Sequence, residues 1–222
     1  VEDNEDLSLL VDRYLEPEPV NPTMLAIDEE LKRYQTESEQ RAQDAHRNWV
    51  NFWNDVKHDH ERMFGDERRY LTAWRLWDAM RRVKAASETK EWNRQFLEEQ
   101  FSKEIADRLR TTLMAEWRAI SPSLPSERPP EDQNTYPWEW QFGLAGIYAE
   151  SENHRWVQDL TTKELELACR YALVQLNGFP AWLEHLVTER PLQTDAILGH
   201  ELYLSLNTAM KDGSNCFMLQ MV

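Results

Sequence analysis

TTKELELACRYALVQLNGFPAWLEHLV, residues 161–187, decides the fold. Thr161-Thr162-Lys163-Glu164 has the form of a capping box, in which a Thr hydroxyl and a Glu carboxylate each satisfy a free backbone N–H at a helix start. Leu165, Ala168, Cys169, Ala172, Leu173 and Leu176 follow at helical spacing. Asn177-Gly178 supplies a left-handed turn of the kind that ends helices. Phe179-Pro180 opens a further helix carrying Trp182, Leu183, Leu186 and Val187. Helix, tight turn, helix is therefore the unit, with Asn177, Gly178, Phe179 and Pro180 as its structural turn.

The same grammar extends in both directions. Pro191 starts a helix through Ile197, Leu198, Leu202, Leu204 and Leu206, and the apolar run Cys216–Val222 suits a helix, a strand or a frayed end. On the other side, Trp138–Glu150 carries Trp140, Leu144, Ile147 and Tyr148, with Gly143 and Gly146 three apart, where another backbone can come close. Ser102 caps a helix bearing Ile105, Leu109, Leu113, Met114 and Trp117. Trp92, Phe96, Leu97 and Phe101 mark a short helix before it, and Leu71, Trp74, Trp77 and Met80 another. Asn21-Pro22 starts a long run, because Asn caps and Pro at the first helical position loses no hydrogen bond. Met24, Ile27, Leu31 and Tyr34 give it one apolar face and Trp49, Phe52, Trp53 and Val56 another. Residues 35–48 between them are almost wholly polar, which predicts two helical portions around a solvated or broken middle.

The expected fold class is all-α: serial antiparallel helix pairs, either α-solenoid-like or an irregular helical bundle. No strict period recurs. Pro122, Pro125, Pro129, Pro130 and Pro137 crowd residues 121–137, a long loop or linker. The expected organisation is an N-terminal helical portion over 1–120 (its acidic segment at 1–20), the proline-rich stretch 121–137, and a C-terminal helical portion over 138–222.

Composition narrows the function. The net charge of −15 repels phosphate, so nucleic acid and anionic membrane surfaces are poor partners. No apolar run approaches the roughly 18 residues that span a bilayer, and the acidic start Val1–Asp6 is unlike a signal peptide. Six glycines are too few for a many-stranded sandwich or barrel. Two isolated cysteines, Cys169 and Cys216, form neither a disulfide framework nor a zinc motif, which suits a reducing cytoplasm.

Chemistry-bearing patterns are sparse. His58-Asp59-His60-Glu61 is the densest titratable run, but on a helix the two imidazoles stand about 200° apart, so His58 and His60 are weak metal candidates unless the helix breaks there. His200-Glu201 has no evident partner for acid–base work. Phosphate-cradling glycine motifs, H-E-x-x-H and G-x-S-x-G are all missing from the sequence. No catalytic residue, cofactor site or firm metal site is expected. The ten tryptophans mostly fall on apolar helix faces; Trp138 and Trp140, flanking the proline-rich stretch, are the candidates for contact with a protein partner.

Two stretches carry a resemblance. Trp140-Gln141-Phe142-Gly143-Leu144-Ala145-Gly146-Ile147-Tyr148-Ala149-Glu150 and the run Ala168–Leu186 resemble the helical-repeat, C-terminal region of large bacterial NACHT-type STAND NTPases, several of them linked to antiphage defence. Thr72–Arg81 is similar in style, and the resemblance spans roughly 45–210. Its motifs are packing motifs, and the family's ATP-binding motifs are missing from this sequence. The resemblance implies a sensor or scaffold part without the motor. The expectation is a non-catalytic helical interaction module with a protein partner. The alternatives are a small helical enzyme, metal-dependent through His58 or His60, and a subunit of a stable assembly.

Overall fold

A computed structural model describes residues 22–82, 91–132, 135–175 and 178–212. The expectations for 1–20, Asn177 and Cys216–Val222 lie outside the described residues. Contacts divide the chain into two units, Val1–Asn54 and Asp55–Val222.

Helix α1 runs over Pro22–His58 without interruption. Of the two expected alternatives the polar middle is therefore the solvated one, exposed but not a break, so the two portions are one helix. No Gly or Pro falls between Thr23 and His58 to stop it. Pairs one turn apart support it from within: Gln40 with Asp44 at 3.2 Å, Arg41 Nε on the Glu37 carbonyl at 3.2 Å, and Arg47 with Asp44. In the first unit this helix leaves a stripe of apolar side chains in solvent: Met24, Leu25, Ile27, Leu31 and Tyr34 are all about half exposed.

In the second unit Asp59 leaves helical geometry, with φ −142° and ψ 49°, and separates α1 from the single turn α2, His60–Met63. Helix α3 spans Arg69–Arg82 and α4 spans Arg94–Gln100, its N-terminus closed by the Asn93 side chain accepting from Phe96 N–H. Ser102 caps α5, Lys103–Ala119, as its sequence predicts. Helix α6 covers Trp138–Glu150, α7 Thr162–Ala172, α8 Leu183–Glu189 and α9 Pro191–Asp212. Thr161 and Glu164 form the capping box of α7. The fold is all-α, and no strand occurs among the described residues.

Helix α6 is the centre. Every residue from Phe142 to Glu150 is buried, as a helix apolar on all sides must be. Helix α5 packs on it most extensively, with α3 and α7 also against it, while α9 packs on α7 and α8. Two glycines permit the approach. A Cβ on Gly146 would stand 2.2 Å from the Leu113 carbonyl oxygen, and one on Gly143 would stand 2.1 Å from the Tyr171 hydroxyl. That hydroxyl donates to the Ile120 carbonyl at 2.9 Å.

Residues 121–132 belong to this second unit and are fastened to it. Arg170 donates to the Pro122 carbonyl at 3.1 Å and pairs with Glu127 at 2.7 Å. The buried carboxylate of Glu201, on α9, accepts from the backbone N–H of Ser126 at 3.2 Å and from the Ser126 hydroxyl. The turn at 178–180 behaves in part as its sequence implies. Gly178 has φ 96°, the left-handed conformation that favours glycine. However, α7 already ends at Ala172, and α8 begins at Leu183 rather than at Pro180.

Candidate interaction surface

Four groups of residues could do more than hold the fold, and each is built from particular helices. The first is charged. The break at Asp59 lets His60 turn towards α5, where its Nε2 lies 3.1 Å from a Glu104 carboxylate oxygen. His60, Glu61 and Glu104 each offer a ligand atom within 4.8 Å of one another. Arg108 reaches both acids, pairing with Glu61 and with Glu104 at 3.1 Å. Its guanidinium, held above its ordinary pKa first by the Glu61 hydrogen bond, supplies the positive charge these carboxylates need. His58 stays exposed at the end of α1 and does not join the group. An open hollow beside this cluster, about 650 Å³, is lined by Phe64, Arg69, Lys103, Asp107 and Thr111. Charges of both signs line it.

The second group is the cysteine and the two carboxylates that burial singles out. Cys169 is fully buried, and burial pushes its thiol up to about 11, so it stays protonated at neutral pH and is a poor nucleophile. Glu150 is buried but saturated: Arg118 grips it with two bonds of 2.6 and 2.7 Å, and Trp117 Nε1 donates to it at 2.7 Å. Glu201 is engaged with Ser126 as described above. Each of these groups serves packing.

The third is the tryptophan pair that sequence nominated for partner contact, and the two residues part company. Trp140 is half-buried and its ring is covered, with the Arg128 guanidinium 4.7 Å from its centroid and Tyr136 at 6.4 Å. Trp138, by contrast, is 45 % exposed. It is the first residue of α6, edge to face with Tyr70 at 6.0 Å and with Trp74 at 6.1 Å, and tilted over Phe142 at 6.3 Å. Tyr70 meets Phe142 at 5.4 Å, and Phe142 meets the buried Trp77 at 5.5 Å. A ring held by three others has few rotamers to lose, which is what a recognition surface needs. Tyr70 is 39 % and the adjoining Leu71 52 % exposed, so the aromatic surface continues onto α3.

Two acids border that surface. Burial and the charges of Glu116 and Glu139 raise the pKa of the Tyr70 hydroxyl, which places both carboxylates in its field. Glu116, on α5, is half-buried, and desolvation raises its own pKa against the opposing pull of Arg69. No hydrogen bond or ion pair engages the carboxylate of Glu116 or Glu139 among the described residues. Glu139 follows Trp138 directly in the sequence, whereas Glu116 lies 22 residues before it on α5, and only packing brings it to this surface.

The fourth is the turn at 178–180. Phe179 packs against the buried Leu173 beside Leu198 and Leu202 of α9, so this turn contributes to the core.

No helix among the described residues is long and apolar enough to cross a membrane. No family profile, curated protein or solved structure matches the chain.

Proposed function

We propose that this chain is a non-catalytic helical interaction module, a scaffold or sensor part that binds another protein. The observation that carries the reading is Trp138. It is a large aromatic ring, nearly half in solvent, fixed by Tyr70, Trp74 and Phe142 rather than folded inward. Tryptophan and tyrosine dominate the energetic centres of protein interfaces, and nearly half of this ring lies outside the protein's own core. The exposed stripe Met24–Tyr34 of α1 supports the same reading. The sequence resemblance to the helical-repeat region of bacterial NACHT-type NTPases suggests the setting, that of a signalling or defence protein in the cytoplasm.

The test is site-specific photo-crosslinking in the cell that makes the protein, with the photoreactive residue at position 138 or, as control, at the exposed Glu166 of α7. A discrete adduct from 138 that is missing from 166 is the expected result. Equal labelling at both positions, or none at 138, would remove the proposal.

A metal-dependent enzyme is the second reading, and the His60–Glu61–Glu104 group is the observation in its favour. Arg108 between the two carboxylates weighs against it, because a cation already stands where an ion would bind.

A further inference from the structure

Resting on the interaction reading, the nature of the partner's contact can be taken further. We propose that the Trp138–Tyr70 surface receives a basic segment of the partner protein, with an arginine or lysine head seated on the two rings between Glu116 and Glu139. Three independent features of the surface converge on a cation. The first is the aromatic faces: Tyr70 and Trp138 are both partly open to solvent, 6.0 Å apart between centroids and 61° apart in plane. Ring faces carry negative charge, and a guanidinium or ammonium within about 6 Å of a centroid is attracted to them, Trp most of all.

The second feature is Glu116. Several partly buried carboxylates in this unit are paired: Glu164 and Glu150 with Arg118, and Glu152 with Arg94. Glu116 is half-buried and has none of these partners. A carboxylate partly stripped of water, with no ion pair and only the field of Arg69 to offset its charge, is a cost that an arriving cation removes. The third is Glu139, a second acid on the far helix. It also gains from the N-terminus of α6, where it lies in the first turn. Together the acids border the rings from α5 and α6.

This protein already shows the same contact on its own residues. Arg118 lies 4.3 Å over the Trp117 ring while bonded to Glu150 and Glu164. Arg81 lies 4.7 Å over Trp77 and 3.9 Å from Glu91. Ring plus carboxylate is one way this fold holds arginine. At Trp138 the ring and the acids are present, and none of the described arginines stacks on that ring. A second copy of this chain is a poorer occupant, since its net charge is −15.

The experiment is an NMR titration of the whole chain with a capped tri-arginine peptide, following the Trp138 indole N–H, which Trp138→Phe identifies. A saturable shift at that signal is expected, with none from a tri-glutamate peptide. The double variant Glu116→Gln/Glu139→Gln should weaken binding at least about tenfold. The control double variant Glu166→Gln/Glu184→Gln removes the same charge from exposed positions and should change it less than about twofold. Equal weakening by both pairs would show diffuse attraction to an acidic protein and overturn the proposal. So would the lack of a saturable shift at Trp138. If the position-138 crosslink still yields an adduct in that case, only the cation assignment fails and the interaction reading survives.

Discussion

The indole N–H of Trp117 and the carboxylate of Glu150 meet in the interior at 2.7 Å, on the two helices that share the most extensive contact in the fold. Arg118 completes the group and carries it on to Glu164 of α7 at the edge. One buried acid thus joins three helices. Glu150→Ala leaves the Trp117 donor unmet and the Arg118 charge half-compensated. It should cost about 3 kcal/mol, because removing one partner of a buried pair leaves the other stranded. Urea unfolding followed by tryptophan fluorescence measures it, and a loss below about 1 kcal/mol would contradict the assignment.

Gly146 and Gly199 predict opposite signs for the same substitution. Gly146→Ala sets a methyl 2.2 Å from the Leu113 carbonyl oxygen and 2.9 Å from its carbon, backbone atoms that move only if α5 moves. The helix-propensity gain of about 1 kcal/mol is outweighed by overpacking, and the net loss should be about 1–3 kcal/mol. Gly199→Ala meets mainly the Asp195 side chain, an exposed group one turn back on the same helix that can swing aside. It should raise stability by up to about 1 kcal/mol. Thermal unfolding of the two variants side by side decides it.

Alkali should unfold the protein earlier than its acids alone would suggest. Burial raises the Cys169 thiol from 9.0 to about 11 and the Tyr148 hydroxyl from 10.0 to about 12, and Tyr171 moves upward too. In each case the folded state holds its proton longer than the unfolded chain. The stability these groups contribute is intact below pH 9, begins to fall there, and is lost as pH passes through the folded values. Each adds a slope of about 1.4 kcal/mol per pH unit within its window. Urea midpoints between pH 8 and 11 should decline and steepen, and Cys169 should resist alkylation at pH 8 unless urea is present. A flat profile to pH 11 would refute this.

The exposed stripe of α1 should tolerate charge. Leu31 is 53 % exposed, so Leu31→Glu removes little buried area and should shift stability by less than about 0.5 kcal/mol. Leu113 is fully buried, and Leu113→Ala should cost about 2–5 kcal/mol. A large effect at Leu31 would show that the stripe is covered in the protein as it exists.

Chelation should leave the protein unchanged. With Arg108 paired to Glu61 and Glu104, treatment with EDTA is expected to leave the unfolding midpoint within about 1 °C of its starting value. A fall of several degrees, restored by one metal, would establish an ion at His60.

Sequence patterning served well where structure is local. The capping box at Thr161, the Ser102 cap and the limits of Trp138–Glu150 all follow from neighbours within one turn, and the helical class follows with them. It served less well where a single favourable pattern had to be weighed against another. The polar run 35–48 lacks an apolar face, yet paired side chains and the lack of Gly or Pro keep it helical. The His58-x-His60 pattern suggested a shared face only if the helix broke, and it does break, but towards Glu104 and away from His58. The candidate surface was legible by half. Trp138 and Trp140 both flank the proline-rich stretch, and no sequence pattern reveals that Arg128 covers the second of them. Tyr70 and Glu116 lie 68 and 22 residues from Trp138, and only tertiary packing brings them together.

The bond between Ser126 and Glu201 links positions 75 residues apart, and it has a consequence during synthesis. A ribosome that has released Ser126 must still add those residues before the carboxylate that secures it exists. At about 5–20 residues per second, that leaves several seconds in which residues 121–132 have emerged from the exit tunnel unlatched, with α6 ready to pack and nothing from α9 to hold them down.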